Sequence, residues 1–176
     1  MKIFIIVGMP ASGKNIAREY AESRGFPYHA TGDLVRAEVK KRGLEADALG
    51  TALVSDEMRG HDGMGVTRYA LAAALSETAP AVFLEGMRSW PEVELIASGS
   101  QCVVLAFLAP RELRKERMAS RGRADDSSDA FDGRDRREIA YGTAVPIALA
   151  DEYILNTGTV EDALNELDAI VNKHLA

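Results

Sequence analysis

The chain predicts a three-layer α/β/α fold around a five-stranded, mostly parallel sheet. Three observations carry that expectation. Short β-rich apolar runs alternate with helical patterns along the whole length. The first run, "KIFIIV" at 2–7, shows no polar alternation, which is how a strand buried on both faces reads. A glycine-rich turn, "GMPASGKN" at 8–15, leads from that run straight into a helical pattern.

The elements follow in order. After the first strand, "KNIAREYAESRG" has helical spacing at Ile16, Ala17, Tyr20 and Ala21, and Gly25 fits a stop. "FPYHAT" is a short second strand. Residues 33–78 are mostly helical, broken around Gly43, Gly50 and Gly60–Gly65. "APAVFLEG" is a third strand opened by Pro80, and "SWPEVELIA" a short helix with Pro91 in its first turn. "QCVVLAFLA" is the fourth strand and "PRELRKERMASRG" a helix ending near Gly122. The stretch 123–133, "RADDSSDAFDG", is polar and irregular, and "RDRREIAYG" and "VPIALA" are helical. "DEYILN" is the last strand. "TVEDALNELDAIVNKHL" closes the chain as an amphipathic helix with an apolar stripe of Val160, Leu164, Leu167, Ile170 and Val171.

With no linker, repeat or low-complexity tract, the 176 residues read as a single domain, 1–176, long enough for a sizeable core. A net charge of −6 argues against nucleic acid as the main partner, although a local arginine cluster still suits a small anion. Cys102 is the only cysteine and excludes an internal disulfide. It lies in an apolar run, as a buried structural thiol would. The opening "MKIFIIVG" is shorter than a signal peptide or membrane span requires, so the expectation is a cytoplasmic protein without membrane attachment. No sequence feature fixes an oligomeric state. His29, His61 and His174 are scattered, without metal-ligand spacing.

In doubly wound sheets, ligands bind beyond the carboxyl ends of the strands. Gly8 after the first strand, Thr31–Asp33 after the second and Glu85–Arg88 after the third all lie there, pointing to one crevice. The turn at 8–15 matches the phosphate-binding pattern G-x-x-x-x-G-K-[ST] except in its last letter. Such a P-loop turns successive backbone N–H groups toward phosphate oxygens. Gly8, Met9, Pro10, Ala11, Ser12 and Gly13 would form this cradle, with Lys14 reaching the β- and γ-phosphates of ATP. Asn15 stands where a hydroxyl normally holds Mg²⁺. Its amide oxygen is a hard donor on a longer side chain, so it either ligates more weakly or through water, or is simply a residue of the first helical turn.

The ordered set "GMPASGKN", "TGDLVR" at 31–36, "FLEGMRS" at 83–89 and "RGRADD" at 121–126 resembles adenylate-kinase-like nucleotide kinases. It is most similar to an archaeal family of adenylate-kinase-related P-loop proteins, whose stretches read roughly G-M-P-G-S-G-K-S, G-D-x-x-R, D-G-I-R-S and R-G-R-x-D-D. "LADEYILNTG" at 149–158 looks like that family's final A-D-x-x-I-x-N-x-G with one residue extra.

The resemblance implies that ATP is the donor and Mg²⁺ the metal, and that residues 33–78 bind a nucleotide-like small-molecule acceptor. Thr31 and Arg36 would contact that acceptor, and Arg88 would be a further phosphate or base contact. Glu85 would stand in the place of a Walker B carboxylate, and Asn156 would follow the last strand near the donor base. Residues 121–137 would be a short lid whose Arg121 and Arg123, then Arg134 and Arg137, stabilise the transferring group.

Asp33 reads more simply as a helix cap, Arg88 alternatively as a surface partner of Glu92, and the lid alternatively as a solvated charge run. Glu92 occupies the position where adenylate kinases tend to place a base-reading Gln, so AMP specificity does not carry over. The expected function is transfer of the ATP γ-phosphoryl group to a nucleotide or nucleotide-like acceptor. Dephospho-coenzyme A phosphorylation and a nucleotide-binding switch with little or no transfer are the alternatives.

Overall fold

The computed structural model describes residues 1–45, 48–120 and 128–176, with the side chains at 48, 49, 52 and 128–130 excepted. Five strands form one parallel sheet: β1 (Lys2–Val7), β2 (Tyr28–Ala30), β3 (Ala81–Glu85), β4 (Cys102–Leu108) and β5 (Glu152–Leu155), in the order β2-β3-β1-β4-β5. The order reverses beside β1, and the glycine-rich loop leaves the carboxyl end of that strand.

Pleating sends alternate β1 residues to opposite faces. Phe4 and Ile6 join a core closed by α1 (Asn15–Ser23) and α9 (Val160–Leu175), with Phe83, Phe107 and Leu167. Ile3, Ile5 and Val7 join the opposite core, closed by α4 (Gly65–Leu75) and α5 (Trp90–Gly99), with Leu84, Met87 and Ile96. The closing stripe on α9 shifts by part of a turn from its expectation. Ala163, Leu167, Ile170 and Val171 are buried, Leu164 packs at the margin, and Val160 faces outward.

Between β2 and β3 the chain forms α2 (Thr31–Lys41), α3 (Ala48–Arg59) and α4. Gly50 lies inside α3 rather than at a break. A small separate cluster of Val35, Val39, Val54 and Val66 holds α2 and α3 against the start of α4.

After β4 come α6 (Arg111–Ser120), α7 (Ser128–Tyr141) and α8 (Ala144–Ala148). Helix α7 begins inside the stretch expected to be irregular. Phe131 is fully buried on it and Asp132 pairs with Arg111 of α6, so tertiary contacts outweigh the polar composition there. Among the described residues, no helix is long and apolar enough to cross a membrane.

Candidate functional site

The loop after β1 turns because its backbone enters the left-handed region at Gly13 (φ 105°) and, without glycine's freedom, at Ala11 (φ 61°). A Cβ on Gly13 would stand 1.9 Å from Asn156 Nδ2, so only glycine fits beneath the strand end. Asn156, buried after β5, donates from Nδ2 to Ser12 O at 2.9 Å and ties the loop to the far side of the sheet. Among the described residues, the Gly13 and Lys14 amides donate to no carbonyl; they are left for an outside acceptor. Lys14 folds back onto its own loop, donating from Nζ to Gly8 O at 2.8 Å and Met9 O at 3.3 Å. Burial lowers its pKa, with nearby Glu85 and Glu138 opposing that shift.

A cavity of about 540 Å³ opens over this loop, lined by Lys14, Asn15, Glu85, Arg117, Arg134 and Asn156 among others. Asn15 opens α1 and is exposed. Glu85 ends β3 and accepts a hydrogen bond from Tyr28 Oη at 2.8 Å. That phenol has its pKa pushed well up by burial and by the neighbouring carboxylate. The Arg18 guanidinium stacks 4.5 Å over the Tyr28 ring, which fixes the ring and, through it, Glu85.

The donor set fits Mg²⁺. Glu85 and Asn15 offer hard oxygens beside Lys14, and no group of three or more His, Cys, Asp or Glu forms a protein-only cage among the described residues. Mg²⁺ in phosphate sites takes one or two protein oxygens and completes its shell with water and phosphate.

Helices α6 and α7, the second within the stretch expected to be a lid, are joined by contacts that the sequence does not reveal. Arg114 of α6 and Asp135 of α7, both buried, form a two-pronged pair at 2.7 and 2.6 Å, and Arg114 also donates to Pro10 O at 3.0 Å. Asp132 and Asp135 of α7 therefore pair with α6: Asp135 with Arg114, Asp132 with Arg111. Arg134 lines the cavity over the loop, and Arg137 an adjoining one with Arg88, Glu138 and Tyr141. Arg121 and Arg123 lie outside the described residues.

On the other side of β3, Thr31 Oγ1 donates to Gly86 O at 3.4 Å. A Cβ on Gly86 (φ 106°) would stand 2.0 Å from that hydroxyl, so the strand end and the start of α2 are in contact. Asp33 is not the cap of α2. The helix starts two residues earlier, and Asp33 pairs with Arg18 at 2.5 Å and with Arg36. Burial opposes ionisation of Asp33, and the two guanidinium hydrogen bonds outweigh it, holding its pKa below the usual range.

Glu92 is no surface partner of the Arg88 side chain. It is buried, accepting from Thr67 Oγ1 at 2.8 Å and from the backbone N–H groups of Arg88 and Ser89 at 2.8 and 2.9 Å, the second half of a capping box on α5. The Arg88 guanidinium instead approaches Glu138 at 3.5 Å and lies 5.0 Å over the Tyr141 ring.

The strand ends thus gather Lys14, Asn15, Glu85 and Asn156 on one side and Thr31, Arg36 and Arg88 on the other. Sequence reasoning missed Glu138, Tyr28, the Arg114–Asp135 pair and Arg59, which lines a small cavity with Arg36 and Arg88. Glu138 and Asp135 sat in a charge run whose members look alike until helix phase separates them, and Arg59 carried no motif.

Residues 7–132 match the AAA domain family. A UPF0200 protein of Methanosarcina mazei is 35% identical over 180 residues, covering 99% of this chain and 96% of the relative. The solved structure of TT1252 from Thermus thermophilus superposes with a TM-score of 0.72 at 21% identity, covering 99% and 97%. Shikimate kinase from Aquifex aeolicus superposes with a TM-score of 0.63 at 14% identity, covering 99% and 98%. At those identities the two structures speak for the P-loop kinase fold alone. Matched along almost its whole length by its relatives, this chain belongs to the UPF0200 family of P-loop proteins.

Proposed function

We propose that the protein is an ATP-dependent small-molecule kinase that moves the γ-phosphoryl group of ATP to a nucleotide or nucleotide-like acceptor. The carrying observation is that one crevice has two differently built sides. Lys14 and unpartnered loop amides lie on the first, and Arg36 and Arg88 on the second, with Glu85 and Gly86 at the strand end between them.

Lys14 would exchange its two loop carbonyls for β- and γ-phosphate oxygens. Arg88 and Arg137, together with the lid arginines Arg121 and Arg123, would spread their charge over the transferring group. Asn15 and Glu85 would hold Mg²⁺, which supplies charge neutralisation between the phosphates. In the transfer the acceptor oxygen bonds to the γ-phosphorus, and the bond to ADP breaks with its electron pair on ADP. Any proton on the acceptor oxygen passes to water.

Asn15 also favours a second reading, a nucleotide-binding switch. The test is Mg²⁺-dependent ADP production from ATP with a panel of nucleoside monophosphates and dephospho-coenzyme A, beside a control without acceptor. The kinase reading expects acceptor-dependent ADP release. Tight ATP binding with no acceptor stimulation, together with an Asn15→Ser variant that gains turnover, would establish the switch instead.

A further inference from the structure

On the acceptor side, a cavity of about 180 Å³ lies between α2, α3, the start of α4 and the β3–α5 connection. This volume is below the roughly 300–1,000 Å³ in which drug-sized ligands sit. Three guanidinium groups line it, Arg36, Arg59 and Arg88, with three hydroxyls from Thr31, Thr51 and Ser55. Among the described residues no aromatic ring lines it, so a nucleobase finds no stacking platform. Glu92, its one carboxylate among the described residues, is buried with both oxygens engaged, in the capping box and with Thr67, rather than presented to a base edge.

The arginines are held loosely. Arg59 has no carboxylate partner among the described residues and lies 5.8 Å over the ring of Tyr141, itself half-exposed; Arg88 shares that ring from 5.0 Å and has only the 3.5 Å approach of Glu138 beside it. Arg36 pairs with Asp33 at the surface. Exposed contacts of these kinds are weak, whereas a guanidinium meeting a phosphate or carboxylate forms paired, charge-assisted hydrogen bonds. An arriving anion therefore has three forks to recruit at little loss.

We infer that the acceptor is a small, multiply anionic hydroxy compound without a nucleobase, gripped by Arg36, Arg59 and Arg88 and oriented through its hydroxyls by Thr31, Thr51 and Ser55. This keeps the phosphoryl transfer proposed above, replaces its nucleotide acceptor by one without a nucleobase, and rests on that reading for its place in catalysis. Its binding side stands by itself. The anion is a phosphate monoester or a carboxylate, and the guanidinium fork suits either.

The test is calorimetric titration of the full chain saturated with Mg²⁺ and ADP, which occupies the donor side. The probes are 3-phosphoglycerate, glycerol 3-phosphate, malate and AMP. At least one of the three small anions is expected to bind about ten-fold or more tightly than AMP, and the comparison of glycerol 3-phosphate with malate separates phosphate from carboxylate recognition. Arg59→Ala is expected to weaken that binding about ten-fold or more, with Arg59→Lys recovering part and the thermal unfolding midpoint unchanged in both.

AMP binding as tightly as the small anions would overturn the inference. So would failure of all three to bind below about 10 mM, or indifference to Arg59→Ala. Binding of the small anions without ADP release from ATP would leave the inference standing and remove the kinase reading. Turnover with AMP alone would do the reverse.

Discussion

The two sides of the crevice, proposed to hold donor and acceptor, are built on different foundations. The phosphate loop hangs from β1, the central strand, which is buried on both faces, and it is tied by Asn156 and Arg114 to elements far away in sequence. On the proposed acceptor side α4 packs on the sheet, but α3 is held to α2 and the start of α4 around four buried valines, and the guanidinium groups are held by exposed pairs and one shared ring. A γ-phosphate must be held to within a fraction of an ångström, which calls for a rigid cradle. In the proposed transfer an acceptor would enter on the other side, which suits elements drawn from the low-stability end of a molecule.

The sharpest separation between holding and stability is expected at Lys14. Its ammonium is confined near the loop with carbonyl partners only, and its lowered pKa says that folding disfavours the charge. Lys14→Met should therefore abolish acceptor-dependent ADP release, by about a thousand-fold or more. The unfolding midpoint should stay the same or rise, because a base whose folded pKa is depressed removes stability wherever its unfolded counterpart is protonated. Single-turnover kinetics and calorimetry on the same preparation check both halves. A midpoint well below wild type would show that Lys14 is a structural residue of the loop.

The Arg114–Asp135 pair offers the next largest effect, and it acts on stability. Arg114→Met leaves the Asp135 carboxylate buried and alone and should lower stability by about 3–5 kcal/mol. The double variant with Asp135→Leu removes both charges and should recover most of that loss, as a double-mutant cycle in urea would measure. Equal losses in the single and double variants would mean that Arg114 matters for its bond to Pro10 O, and that the donor side is anchored through the loop rather than the helix pair.

Much of this division was legible in the sequence. The unbroken apolar run at 2–7, the glycine spacing of the loop and the β/α alternation predict the parallel sheet and the crevice, because these signals are local. What stayed hidden depends on where a side chain ends up after folding. Glu92 looks like a surface residue four positions past Arg88, yet burial of α5 turns it into a cap. Asp33 has the right chemistry for a cap, but α2 starts at Thr31, which frees it to pair with Arg18. In the acidic and basic run from 121 to 137, composition alone does not say that Asp135 is buried while Arg136 is exposed. Phe131, the one large apolar residue there, was the available signal that a helix packs down at this point.

The smallest effect is the most direct probe of the two foundations, because the same chemical change is available on both. Val82 in β3 and Val54 in α3 are each fully buried. Truncation to Ala removes two methyl-sized groups, a transfer loss of about 1.6 kcal/mol before any cavity contribution. In β3 every opening that exposes position 82 is global, so Val82→Ala should lower the global stability by that full amount. In α3 the four-valine cluster can open while the sheet stays folded. Val54→Ala should then lower the protection of α2 and α3 amides against hydrogen exchange, and leave that of β1 and β3 nearly unchanged. Equal loss of protection throughout the chain for both variants would mean that the acceptor helices unfold only with the sheet, and access to the acceptor cavity would have to come from side-chain motion alone.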